Sequence, residues 1–127
     1  MNSVYIAKFR NTMLETALGC LVHAHAISAD FQIDGLKIQS IRYVGTYSDP
    51  RFSNTIELWF TTPLTFPAGS SCTATNRVYI DATHRHLVAG AQMALALNRP
   101  VNIVVDNNLP IRAGACEVVY FDVPAMQ

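Results

Sequence analysis

Apolar and polar residues alternate most cleanly from Thr55 to Thr61. Ile56, Leu58 and Phe60 fall on one face, and Thr55, Glu57 and Trp59 on the other. A repeat of two marks a strand buried on one side, and the β-branched and aromatic content agrees. Ile38 to Gly45 alternates less strictly and reads as a second strand, with Ile38, Ser40, Arg42 and Val44 on one side and Gln39, Ile41 and Tyr43 on the other. Ahead of it, Phe31 to Lys37 is short and mixed, and a turn is expected at Asp34-Gly35. Cys72 to Ala82 reads as a third strand, with Val78 and Ile80 pointing one way and Arg77, Tyr79 and Asp81 the other.

The period changes from His84 to Asn98. There Leu87, Ala91, Ala94 and Leu95 share one face of a helix, flanked by Val88 and Met93, with Gln92 and the small Ala89, Gly90 and Ala96 opposite. Asp81 or Thr83 is expected to cap its first turn, and Pro100 to stop it. Val101 to Val105 and Glu117 to Val123 complete the set as strands, joined through a turn at Asp106-Asn107-Asn108. Two loops carry the strongest breakers: Thr46 to Asn54 around Asp49-Pro50, and Thr62 to Ser71 with Pro63, Pro67 and Gly69. The expected fold is mainly β with one helix. Strand, strand, strand, helix, strand, strand is the order of a small five-stranded OB-fold-like barrel with its helix between strands three and four. That domain spans 31–127, in a chain of one-domain length.

Residues 1–30 read two ways. Lys8 and Arg10 precede an apolar run from Met13 to Val22 and a small-residue end at Ala24-His25-Ala26, which resembles a secretory signal. Glu15 interrupts that run. Val4, Ala7, Leu14, Leu18, Leu21 and Val22 instead suit an amphipathic helix over about Tyr5 to His25. No apolar run reaches the roughly 20 residues of a membrane span.

Composition narrows the function classes. Half of the residues are hydrophobic and 14% are charged, enough to bury a core. Nine basic residues balance nine acidic ones and no basic run exceeds two, so no nucleic-acid backbone contact is expected. A neutral, charge-poor surface favours self-association. The cysteines are Cys20, Cys72 and Cys116, without a Cys-x-x-Cys. In an exported protein Cys72 and Cys116 would pair and staple the third strand to the last. In a reducing compartment all three would stay as thiols.

His23/His25 and His84/His86 are His-x-His pairs, but on helix or at a helix start such a spacing does not share a face, so no metal site is expected. Ser70, Ser71, Asp81 and His84 include a nucleophile and base type without an oxyanion-forming glycine turn. No phosphate-cradling glycine loop occurs, and no enzyme or cofactor is expected. The best binding set is Tyr43, Tyr47, Ser48, Asp49, Arg51 and Trp59, since aromatic faces pack on the apolar side of a sugar ring while polar neighbours take its hydroxyls.

Ile41-Arg42-Tyr43-Val44-Gly45, a loop, and Thr55-Ile56-Glu57-Leu58-Trp59-Phe60 together resemble the opening hairpin of the receptor-binding B subunits of subtilase-cytotoxin and pertussis-like toxins. The stretch from Gln92 to Val105 is similar to their helix-to-strand passage, with Asn98 where that passage usually has glycine. The resemblance covers about Asp34 to Val123. It implies a secreted or periplasmic, non-catalytic subunit that forms a ring, usually a pentamer, whose helices line a central pore. It also implies a host-surface glycan as ligand and a catalytic A subunit as a partner. Those subunits read sialic acid with a serine near the start of the first strand. Here Ile33-Asp34-Gly35 puts Asp34 in that place, a carboxylate that repels an anionic sugar. The alternative function is a structural or assembly protein using the same barrel, with the N-terminal helix docking on a partner.

Overall fold

The structure, a computed structural model, describes residues 30–125. The readings of residues 1–30 as a helix or a signal, together with Cys20 and the His23/His25 pair, lie outside the described residues except at Asp30, the first residue of β1. The elements are β1 (Asp30–Val44), a short 3-10 turn (Pro50–Phe52), β2 (Thr55–Phe60), β3 (Arg77–Asp81), α1 (Arg85–Ala96), β4 (Pro100–Asp106) and β5 (Glu117–Asp122). The protein is mainly β with one helix, which lies between the third and fourth strands as expected. The five strands close into a ring in the order β1-β2-β3-β5-β4.

β1 corrects the reading of residues 31–45. It is one strand of 15 residues, not a turn followed by a strand. Its first half pairs antiparallel with β4 (Ile33 opposite Ile103) and its second half with β2 (Arg42 opposite Glu57). The register against β4 slips between Ile33 and Leu36, so Asp34-Gly35 forms a bulge. Gly35 takes φ +66°, and its N–H donates to Asn102 Oδ1 at 2.9 Å. A left-handed glycine serves a turn or a bulge equally well, and here the partner strand continues past it. β3 is also shorter than expected: Cys72 to Asn76 is not strand, although Leu64 N–H donates to Thr75 O and Phe60 N–H to Asn76 O.

The core fills the ring with the residues that alternation places inside. Leu58, Val78, Ile80, Val101, Ile103, Val105 and Val118 are fully buried. Ala91 and Ala94 of α1 close the core, and Gly90 lies so near the ring that an added Cβ would come within 3.3 Å of Phe121. The capping expectation needs correction. Asp81 Oδ1 accepts from Thr83 N–H and Oγ1–H in the turn before the helix, while the N-cap is His84, without a side-chain cap bond. At the other end Arg99 N–H donates to Ala94 O and Asn98 N–H to Leu95 O, with Asn98 at φ +50°. This is a Schellman ending with asparagine in the left-handed place that glycine usually takes. Pro100 then opens β4 instead of ending α1 itself.

The seam between β3 and β5 is the sparsest. The two run parallel and share one paired position, Tyr79 with Glu117. The Cys72–Cys116 disulfide reinforces it, both sulfurs being buried. Gly114 O accepts from Thr73 and Ala74 N–H, each at 2.9 Å.

Candidate functional site

β1 and β2 carry a row of outward residues that the antiparallel register brings level: Ser40 with Trp59, Arg42 with Glu57, Val44 with Thr55. β3 continues the rows with Arg77 beside Trp59 and Tyr79 beside Glu57. Glu57 is the hub. Its Oε2 accepts from Arg42 Nη1 and from Trp59 Nε1, both at 3.2 Å, and its Oε1 forms an ion pair with Arg77 Nε at 3.6 Å, beyond hydrogen-bond reach. The guanidiniums of Arg42 and Arg77 stand 4.9 and 5.1 Å from the Trp59 ring centre. Cation–π attraction and the shared carboxylate hold the same two arginines, so indole, acid and cations form one unit.

Beside this unit lies a cavity of about 260 Å³ lined by Arg42, Val44, Tyr47, Phe52 and Glu57. Its far wall is the β1–β2 loop. Tyr47 is 57% exposed and meets Phe52 edge to face at 6.1 Å. The loop's shape follows from its sequence. Asp49 caps the 3-10 turn by accepting from Arg51 N–H, and Pro50 fits its first position. Ser53 Oγ accepts from Tyr47 N–H and donates to Tyr47 O, and Asn54 at φ +54° returns its N–H to Gly45 O. Arg51 pairs with Asp49 at 2.6 Å, and that hydrogen-bonded pairing holds the Asp49 carboxyl below its usual range.

Among the expected binding residues, only Tyr47 lines the cavity. Trp59 is half-buried and joined to it through Glu57 and Arg42. Asp49 and Arg51 bond each other within the loop, and Ser48 is exposed on it. Tyr43 alternates with Arg42 and Val44 and so points to the other side of β1, where its hydroxyl accepts from Gln92 of α1 at 2.9 Å. Asp34 sits at the β1–β4 bulge, accepting from Gln32 Nε2 at 2.5 Å, and takes no part in lining the cavity. The sequence reading missed Arg42, Val44, Phe52 and Glu57. The signal for the first and last was an opposite-charge pair, each on the polar face of its strand.

A second polar group lies on β3 and β5. Tyr79 is buried, its hydroxyl contacting Pro110 O and lying 3.0 Å from Glu117 Oε2, and Arg112 stacks on its ring at 4.5 Å. Burial first, then the Glu117 carboxylate, holds the phenol above the ordinary tyrosine range. His84 Nδ1 stands 3.5 Å from Glu117. The nucleophile and base types are otherwise engaged: Ser70 Oγ accepts from Cys72 N–H, Ser71 Oγ donates to Asn107 O, and Asp81 bonds Thr83. Among the described residues no cluster of His, Cys, Asp or Glu suits a metal, and no helix is long and apolar enough to cross a membrane. No family model matches the chain, and no curated protein matches it.

Proposed function

We propose that the chain is a non-catalytic binding subunit with an OB-fold-like barrel, which recognises a host-surface glycan through the β1–β2 loop. The observation that carries this reading is the cavity. It brings together one exposed ring, Tyr47, a guanidinium, Arg42, whose side chain is 63% exposed, the Glu57 carboxylate and the apolar Val44 and Phe52. An aromatic platform with polar groups beside it is the arrangement that grips a sugar ring and its hydroxyls. At about 260 Å³ the cavity lies just below the roughly 300–1,000 Å³ of drug-sized ligand sites, which suits one terminal sugar. The disulfide fits export to an oxidising compartment. The resemblance to toxin B subunits adds a ring, a pentamer in that family, and a catalytic partner subunit.

Glycan-array binding by the purified protein tests the reading. Tyr47→Ala removes the platform and lowers the signal at least tenfold with the melting temperature unchanged. Trp59→Phe keeps the ring between the arginines and leaves most of the signal. Arrays with no binding above background, or a Tyr47→Ala signal equal to wild type, would remove the glycan assignment.

A further inference from the structure

β2 runs between β1 and β3, and Glu57 stands on it between two cations, Arg42 of β1 and Arg77 of β3. The two are not held alike. The Arg42 side chain is mostly exposed and, among the described residues, makes one hydrogen bond, through Nη1 to Glu57 Oε2. The Arg77 side chain is 19% exposed, and its Nη2 is fixed from behind by Ala113 O at 3.0 Å. Its Nε is fully buried and has no hydrogen-bond partner. A buried donor left unpaired is uncommon and costly. Glu57 Oε1 stands 3.6 Å from it, so a turn of about half an ångström brings the carboxylate within hydrogen-bond reach.

We infer that Glu57 is an exchangeable carboxylate and that Arg77, which does not line the cavity, is a positioning residue for the ligand site. The inference rests on the reading of the cavity as the binding site. When a ligand oxygen in the cavity takes the Arg42 guanidinium, the carboxylate turns from Arg42 Nη1 to Arg77 Nε. Neither arginine has to move, since each keeps its contact with the Trp59 ring. The Glu57 side chain is only 15% exposed. Removing a cation from a carboxylate so poorly solvated is costly unless a second cation stands ready. Arg77 is that cation, and the same turn supplies the missing partner of its Nε. Arg42 is thereby released at little net cost, whereas an acid with one arginine would hold it against the ligand. Arg77 does not serve the ligand itself, because it is tied to Ala113 and lies outside the cavity lining. The exposed arginine meets the ligand and the buried one takes the acid.

NMR of the arginine Nε–H groups in the full, oxidised chain reads the exchange directly. Arg42→Ala removes the competing cation without any ligand. The Arg77 Nε–H resonance then moves downfield, and its exchange with water slows at least threefold. Glu57→Gln in the Arg42→Ala background abolishes both changes. A merely structural Arg77 would leave the resonance in place, and an unchanged resonance overturns the proposal. On the glycan array, Arg77→Gln lowers the signal at least threefold at a temperature where the variant is fully folded. Arg77→Lys keeps the charge and regains most of that signal. An Arg77→Gln signal equal to wild type overturns the positioning role. Should Arg77→Gln fail to fold, the Arg42→Ala resonance decides alone. An array dark for the wild type sinks the glycan reading only, and the exchange then stands or falls with the resonance.

Discussion

Opening the Cys72–Cys116 bridge should cost the protein a large share of its stability. The bridge closes a loop across a sequence separation of 44. On the chain-entropy account, such a loop restricts the unfolded chain by about 4 kcal/mol. Little compensates for its loss, because β3 and β5 share one paired position and the remaining closure rests on Tyr79, Gly114 and the bridge. Against a total of about 5–15 kcal/mol for a domain, this is a large share. The variant is Cys72→Ala with Cys116→Ala, which keeps both sites apolar and small. Its urea midpoint should fall by about 2 M, taking a slope of about 2 kcal/mol per molar. Reduced wild-type protein should lie close to it, since both lack the same restraint. A loss under about 1 kcal/mol would refute the reasoning and mean that the sheet closes the ring unaided.

Three further outcomes follow from named contacts. Glu57→Ala should destabilise by about 2–3 kcal/mol, because it strands the half-buried Arg77 and Trp59 Nε1, while Arg42→Ala costs under about 1 kcal/mol from its exposed position; equal losses in urea unfolding would contradict the hub role. Asn98→Val should cost about 1–2 kcal/mol by forcing a β-branched residue to φ +50°, with Asn98→Gly at least neutral, and a neutral valine would refute the Schellman ending. The Asp81 carboxyl is held below its usual range, first by Thr83 N–H and then by the Thr83 hydroxyl. Its contribution is therefore whole above the unfolded carboxylate pKa of about 4 and is lost as pH falls through the lower folded value. Asp81→Asn should thus trail wild type at neutral pH and converge with it in acid; a gap that stays constant with pH would exclude this origin.

What the sequence could tell was set by how local each determinant is. β2, α1 and β4 follow from their own residues: Ile56, Leu58 and Phe60 alternate, Ala91 and Ala94 recur at helical spacing, and Val101, Ile103 and Val105 alternate again. Gly35 shows the limit. Its left-handed backbone is a local preference, but whether the chain turns or bulges depends on Asn102, 67 residues away, taking its N–H. Cys72 to Asn76 looks like strand for the same reason in reverse, having strand-like residues without a paired register. The site divided along the same line. Tyr47 stood out as an aromatic in a turn-rich loop. Tyr43 belonged to the wrong parity of β1, a point that alternation with Arg42 and Val44 already contained. Trp59 reads as a sugar platform only until the fold brings Arg42 and Arg77 over its ring.

The loop that walls the cavity is fixed from both ends, and this bears on how a small site can bind. Arg112 Nη1 reaches Ser53 O at 3.4 Å while its Nη2 pairs with Asp81 at 3.5 Å, and Ala82 N–H donates to Asn54 O at 2.9 Å. The loop between β1 and β2 is therefore tied to the end of β3 and to the segment before β5. On the sheet side Arg42 is already oriented by Glu57, which Trp59 orients in turn. Ordering a free side chain on binding costs about 0.5–1.5 kcal/mol each, so a site with Arg42 and Glu57 held in place and Tyr47 on a braced loop avoids part of that cost for every ligand it meets. A cavity of this size offers few contacts, and weak single-site affinity is the natural result. In the ring that the proposed function implies, several such cavities would sit on one particle, and a surface dense in ligand would then be held by several at once. The second binding event becomes intramolecular, and tight attachment no longer requires tight sites.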